Sequence, residues 1–193
     1  MNIVENFLPQ KLADSIENTM AASKLDAFFP WFYNPQTVLA EYAMYKGENA
    51  IDTFQFVHMM YNSADNSASS YHSEIAIPIV WFIENHGISV NNLYRVKANL
   101  MTRQPYDSQN FNTPHTDLTT NGMVGLYYVN DSDGDTVFFE ERYKKDYVYD
   151  KLTIANKVTP KKNTMVFFDA TQFHASTPPV ENDYRCVINF VFG

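Results

Sequence analysis

Cysteine is almost absent from the 193 residues: Cys186 stands alone, which excludes an internal disulfide and any cluster of thiolate metal ligands. A chain of that kind suits a reducing cytoplasm. Basic charge is scarce as well. The 14 Lys and Arg face 22 Asp and Glu, giving a net charge of -8 and a pI near 5.0, so a general grip on nucleic acid is disfavoured. No apolar run approaches the roughly 18 residues that a membrane helix needs, and Met1 to Leu12 carries no basic segment followed by an apolar one. A soluble, unprocessed chain with no membrane partner is the expectation. Repeats, low-complexity tracts and linkers are missing too, and 45% apolar content over this length suits one domain spanning 1–193.

What is abundant is aromatic. Thirteen Tyr and 15 Phe lift the aromatic share to 16%, which leans toward β-rich architecture because planar side chains pack well on pleated surfaces. In the first third, Leu8, Leu12, Ile16 and Met20 recur at intervals of four, predicting an amphipathic helix opened by Pro9. A second helix is expected from about Ser73 to His86, with Ile75, Ile79, Phe82 and Ile83 on one face, Pro78 early and Gly87 as the stop. Both should pack on a sheet. Between them, Thr53 to Met60 reads as a strand, and the aromatic run Phe28 to Tyr33 reads as core in preference to a substrate mouth.

From residue 93 the pattern becomes short extended runs separated by turn residues, as a barrel or sandwich requires. The runs are Leu93 to Arg103, Met123 to Val129, Asp135 to Glu140, Asn163 to Phe168, Gln172 to Ser176 and Arg185 to Phe192. Charged residues 141–162 suggest a loop or irregular hairpin. Asp131-Ser132-Asp133-Gly134-Asp135 lacks the glycine and glutamate positions of a calcium loop and reads as a hairpin turn.

One constellation carries chemistry. His115 and Asp117 are two apart on extended chain, so their side chains point the same way. His174 follows the apolar strand Met165 to Phe168 and a short turn, which can bring it across to the same point. Two imidazoles and one carboxylate on one face of an ion leave the opposite positions open, an arrangement suited to ferrous iron. Arg185 comes after Ser176-Thr177-Pro178-Pro179, which can turn the chain back beside His174. A guanidinium in an apolar strand asks for an anion, and its planar fork matches a carboxylate. Along Leu93 to Arg103, alternate residues Arg95, Lys97, Asn99, Met101 and Arg103 make one face polar. That face is either solvated or turns Asn99 and Arg103 into a cleft.

The segments Leu93 to Leu100, His115-Thr116-Asp117-Leu118, Gly125 to Asn130, Gly134 to Phe139, His174-Ala175-Ser176 and Tyr184 to Val187 resemble the core of the 2-oxoglutarate/iron(II) oxygenases, the prolyl 4-hydroxylase-like branch above all. The resemblance implies an α+β, mainly β fold: a double-stranded β-helix, or jelly roll, over 93–193, with helical support and first strands in 1–92. It makes His115, Asp117 and His174 the Fe(II) ligands and Arg185 the partner of the distal carboxylate of 2-oxoglutarate, with Tyr128 reaching the same carboxylate. The implied reaction uses O2, with ascorbate as accessory reductant, and hydroxylates a C–H bond of a protein side chain, prolyl among the candidates, or of a small metabolite. Collagen-type prolyl hydroxylases carry lysine at the position of Arg185, and Asn163 stands where glycine is common, so proline itself is not implied.

Competing readings are a nucleic-acid demethylase, which the acidic balance disfavours, a non-catalytic jelly-roll binding module, and a metal hydrolase on the same ligands. His58, His72 and His86 have no partnered spacing and read as structural or surface residues. Cys186 alternates with Arg185 and should face away from the cosubstrate.

Overall fold

Alternation of side chains decides how the sheets stack. In the computed structural model, which describes residues 1–21, 29–38, 43–47, 50–105 and 110–193, the last strand, β13 (Tyr184–Phe192), lies between β6 (Leu93–Thr102) and β8 (Met123–Tyr128). Cys186, Ile188 and Phe190 point to one side of it, and Arg185, Val187 and Asn189 to the other. Both sides are covered, which is why β13 reads as a nearly continuous apolar run.

The large antiparallel sheet runs β1 (Asn2–Glu5), β11 (Thr164–Asp169), β8, β13, β6, β4 (Gln55–Asn62), β2 (Phe32–Asn34), with β5 (Ser67–Ala68) beside β4. Facing it is a smaller sheet, β10 (Ile154–Val158), β9 (Thr136–Arg142) and β12 (Gln172–Ser176). A parallel pair, β3 (Ala50–Ile51) and β7 (Phe111–Asn112), leads into the His115 segment. The chain crosses between the two large layers after β8, β10, β11 and β12, which makes a jelly roll with helices in support. Val124, Leu126, Tyr128, Val166, Phe168 and Val187 meet Phe138 and Val158 between the sheets.

The helices cover the outer face of the large sheet. Ala13, Ile16 and Met20 of α1 (Gln10–Met20) and Ile79 and Ile83 of α2 (Ile77–Asn85) join Val96, Ala98, Tyr127, Phe167 and Ile188 in one core. Pro9 caps α1 from outside its first turn. A wide π-helical turn, His72–Ala76, precedes α2, so Pro78 falls in the first turn of α2, where a missing N–H is harmless. Gly87 takes φ 78 at the exit. No helix among the described residues is long and apolar enough to cross a membrane.

Residues 141–162 take the irregular-hairpin form, one of the two readings expected, with β10 pairing β9 through a register shift, while two other expectations change. Asp131 to Asp135 is not a hairpin turn but a crossing between sheets. Its Asp133 carboxylate accepts the backbone N–H groups of Val180, Glu181 and Asn182 at 2.8–3.0 Å, pinning the loop before β13. In the aromatic run, Phe28 lies outside the described residues and Phe29 is core, but Phe32 and Tyr33 stand 61% and 63% exposed on an edge strand. Asn163, with φ 61, does what glycine could not: its side chain accepts from Leu8 N at 2.9 Å and donates to Leu8 O at 2.8 Å.

Candidate metal and cosubstrate site

The cleft between the sheets has a polar wall, and each polar group has a strand that explains it. His115 and His174 form an isolated antiparallel bridge that joins the β7 segment to β12, with ring centroids 4.5 Å apart. Asp117 is held two residues on by its own N–H, which donates to Ala170 O at 3.0 Å. One ligand atom from each of His115, Asp117 and His174 lies within 4.8 Å of the others, close enough for one ion to engage all three. No other such group occurs among the described residues.

The imidazoles are set up as ligands. His115 Nδ1 lies 3.3 Å from Thr113 O, and His174 Nδ1 lies 3.2 Å from Gln172 O, so each Nδ1 carries its hydrogen toward a carbonyl and each Nε2 keeps a free lone pair. Burial, with His174 adjacent, pushes the pKa of His115 down to about 3, and burial lowers that of His174. Both rings are therefore neutral, as metal ligation demands. Burial acts to raise the Asp117 pKa, but the Arg95 guanidinium and then the two rings hold it well below the usual carboxylate range. Its side chain is 2% exposed, pairs with Arg95 through Oδ1, and accepts from Asn189 Nδ2 at 3.2 Å through Oδ2. Oδ2 also lies 3.5 Å from His174 Nε2, so it is the carboxylate oxygen turned toward that ring. A hard oxygen and two imidazole nitrogens on one side fit a divalent iron.

Arg185 closes the other end. It is 3% exposed and makes no ion pair among the described residues. Nε donates to Gly134 O at 2.8 Å and Nη2 to Thr136 Oγ1 at 2.8 Å, while the guanidinium carbon lies 5.9 Å from the Tyr128 ring centroid. Nη1 makes no hydrogen bond among the described residues, and Arg185 borders the cleft, the posture of a cation awaiting a carboxylate. Gly134 makes this possible: a Cβ there would sit 2.9 Å from Arg185 Cδ and 2.8 Å from Thr177 O. These donors suit the distal end of a dicarboxylate.

Several placements differ from the sequence reading. Tyr128 does not border the cleft; its hydroxyl donates to Thr136 Oγ1 at 2.8 Å, and Thr136 forms the wall there. Asn99 borders the cleft, but Arg103 turns outward to pair with Asp183 at 2.6 Å. The polar stripe of β6 thus points inward through Met101 and outward beyond it. Arg95, Lys97, Thr136 and Asn189 escaped the sequence reading. For the first two the signal was present, since they alternate with Asn99, and Asn189 shares a strand face with Arg185. Thr136 had no sequence signal. His58 is spent on Pro30 O and Ser69 Oγ, both at 2.8 Å, His86 on Phe82 O, and His72 stacks on Tyr61. Cys186 faces the helices, where burial raises its thiol pKa.

Jelly-roll layers that enclose a His-x-Asp…His triad and a buried arginine define a class of fold: it is the fold of the solved 2-oxoglutarate/iron(II) oxygenases, prolyl hydroxylases among them. An oxidoreductase of the 2OG-Fe(II) oxygenase family from Burkholderia pseudomallei superposes with a TM-score of 0.64 at 11% identity, over 99% of this chain and 84% of that one. HygX from Streptomyces hygroscopicus, solved with nickel and 2-oxoglutarate bound, gives 0.57 at 10% identity over 99% and 81%. A prolyl-4-hydroxylase from Pseudomonas putida gives 0.52 at 13% identity over 99% and 91%. No protein-family model and no curated relative matches the sequence.

Proposed function

We propose that the chain is an Fe(II)- and 2-oxoglutarate-dependent oxygenase, one domain spanning 1–193, that hydroxylates a C–H bond of a small metabolite or a protein side chain. The observation that carries this is a cleft with a neutral-imidazole, carboxylate triad at one end and a buried, anion-seeking Arg185 at the other. HygX, with its bound nickel and 2-oxoglutarate, supports the pairing of such a site with such ligands.

In this reading His115 Nε2, His174 Nε2 and Asp117 Oδ2 hold the iron. Arg185 and the hydroxyl of Thr136 hold the distal carboxylate, with Tyr128 orienting Thr136, and Asn99 contacts the cosubstrate between the two ends. Bound iron and 2-oxoglutarate supply the oxidative chemistry, in which O2 is consumed, the keto acid becomes succinate and carbon dioxide, and the substrate C–H gains a hydroxyl. The protein's share is geometric. Arg95 engages Oδ1 of Asp117 and Asn189 steadies Oδ2, which leaves Oδ2 as the oxygen that would bind the ion. Leu126, Val187 and Ala175 border the cleft with apolar surface that limits water. Ascorbate would serve as accessory reductant. A reducing cytoplasm suits the lone, buried Cys186.

Incubation with Fe(II), 2-oxoglutarate, ascorbate and O2 should release succinate slowly without substrate and faster with one. Absence of succinate under every condition, together with absence of 2-oxoglutarate binding to the metal-loaded protein, would overturn the reading. Activity with zinc that ignores oxygen would replace it with a hydrolase.

A further inference from the structure

The metal end of the cleft carries more positive charge than the proposed reactants can neutralise. Lys97 borders the cleft, and its β6 neighbours Val96 and Ala98 lie in the core under the helices, so the Lys97 side chain shares the inward face with Arg95 and Asn99. Its backbone is level with Asn189, whose amide donates to Asp117. Arg185 is level with Met101, four residues further along β6, or about 13 Å at strand rise. Lys97 and Arg185 therefore serve different ends.

The described residues give the Lys97 ammonium no hydrogen bond and no ion pair. The Asp117 carboxylate is paired with Arg95 instead. Two more groups on that wall are buried without hydrogen-bond partners among the described residues, Arg95 Nε and Asn189 Oδ1. The charges can be counted. Arg95 cancels Asp117, and histidines that hold a metal do so as neutral rings, which leaves Lys97 and Arg185. A divalent metal adds two positive charges and 2-oxoglutarate removes two, so a surplus of two remains. In a chain of net charge -8, such a surplus around one cleft is a local feature that a neutral substrate would leave uncompensated.

We infer, on the reading of the site given above, that Lys97 recognises an anionic group, carboxylate or phosphate, on a small-molecule substrate, and that the hydroxylated carbon lies close to that group. Asn189 Oδ1 then accepts from a hydroxyl or N–H of the same molecule. Arg185 is left to the cosubstrate.

The test uses the full chain loaded with Mn(II) and an inert 2-oxoglutarate analogue in which an amide replaces the ketone. Acetate, inorganic phosphate and neutral acetamide are titrated by calorimetry into the wild type, Lys97→Met and Lys97→Arg. One anion should bind wild type, weaken about tenfold or more in Lys97→Met, and stay within about threefold in Lys97→Arg, as for loss or retention of a charged hydrogen bond. Which anion responds distinguishes carboxylate from phosphate. The inference is overturned if acetamide binds as well as the anions, if no anion binds, or if Lys97→Met leaves anion binding unchanged. It is equally overturned if Lys97→Met weakens 2-oxoglutarate itself tenfold or more, which would assign Lys97 to the cosubstrate. Wild-type binding of Mn(II) and 2-oxoglutarate, measured first, tests the oxygenase reading separately.

Discussion

His115 and His174 exchange both of their backbone hydrogen bonds, each N–H donating to the other's carbonyl at 3.0 Å. A hydrogen-bonded cross-strand pair fixes two side chains side by side, so the imidazoles meet through the sheet and not through a flexible loop. Asp117 joins them because it lies two residues beyond His115 on the same extended segment.

Replacing Asp117 with Ala removes the only carboxylate of the triad and leaves Arg95 beside the two rings. Loss of a residue that only hydrogen-bonds a ligand costs about 10–100-fold in metal affinity, so loss of this ligand should cost at least about 100-fold. Calorimetric titration of Mn(II), with succinate release measured in parallel, checks both halves. Retention of wild-type metal affinity would remove Asp117 from the site.

Arg185→Ala should leave Mn(II) affinity nearly intact while raising the 2-oxoglutarate dissociation constant. Charged hydrogen bonds contribute about 1.5–3 kcal/mol, so the rise should be about 10–100-fold. Arg185→Lys should fall between, since an ammonium keeps the charge but loses the planar fork. Unchanged 2-oxoglutarate affinity in Arg185→Ala would mean that the distal carboxylate binds elsewhere.

The strands after residue 93 were legible because both faces obey a period of two, and so was the triad, because its order along the chain repeats a known pattern. Helix α1 was legible from its stripe. The loop across 141–162 hid β10 because four of its five residues are exposed and carry no apolar alternation. Strand β1 was hidden for another reason: its partner, β11, lies at the far end of the sequence. In β6 the alternation was visible, but a polar face reads alike whether it meets water or a polar cleft, so Arg95 and Lys97 were not assigned to the site and Arg103 stayed open between solvent and cleft. Only the pairing with β13 decides that question.

Gly134→Ala should injure the cosubstrate end without touching a charged group. The new methyl would lie 2.8 Å from Thr177 O, 2.9 Å from Arg185 Cδ and 3.0 Å from Pro179 N, and two of those are backbone atoms that cannot rotate away. Overpacking of this kind costs about 1–3 kcal/mol, seen as a lower Tm, and the displaced guanidinium should raise the 2-oxoglutarate KM with little change in metal affinity. A lower Tm with an unchanged KM would show that Arg185 tolerates the shift.

Acid should destabilise the metal-free protein well before its carboxylates titrate. His115 and His174 are buried and neutral, with folded pKa values below the ordinary 6.5, that of His115 near 3. Above pH 6.5 both folded and unfolded chains hold these rings neutral, and no penalty arises. As pH falls through 6.5 the unfolded chain binds protons that the folded chain refuses, so unfolding becomes easier; for His115 this continues down to about pH 3. Asp117 adds its own loss as pH falls through about 3.8, where the unfolded carboxylate is half protonated while the folded one, held by Arg95, stays ionised. The Tm of metal-stripped protein should therefore drop between pH 7.5 and 5.5. The drop should shrink in His115→Gln, whose amide does not titrate. Mn(II), which binds only the deprotonated ligands, should raise Tm more at pH 7.5 than at pH 5.5. A Tm that is flat over this interval in the wild type would mean that the rings accept protons in the folded state, and that neutral, ligand-ready imidazoles are the wrong description of the site.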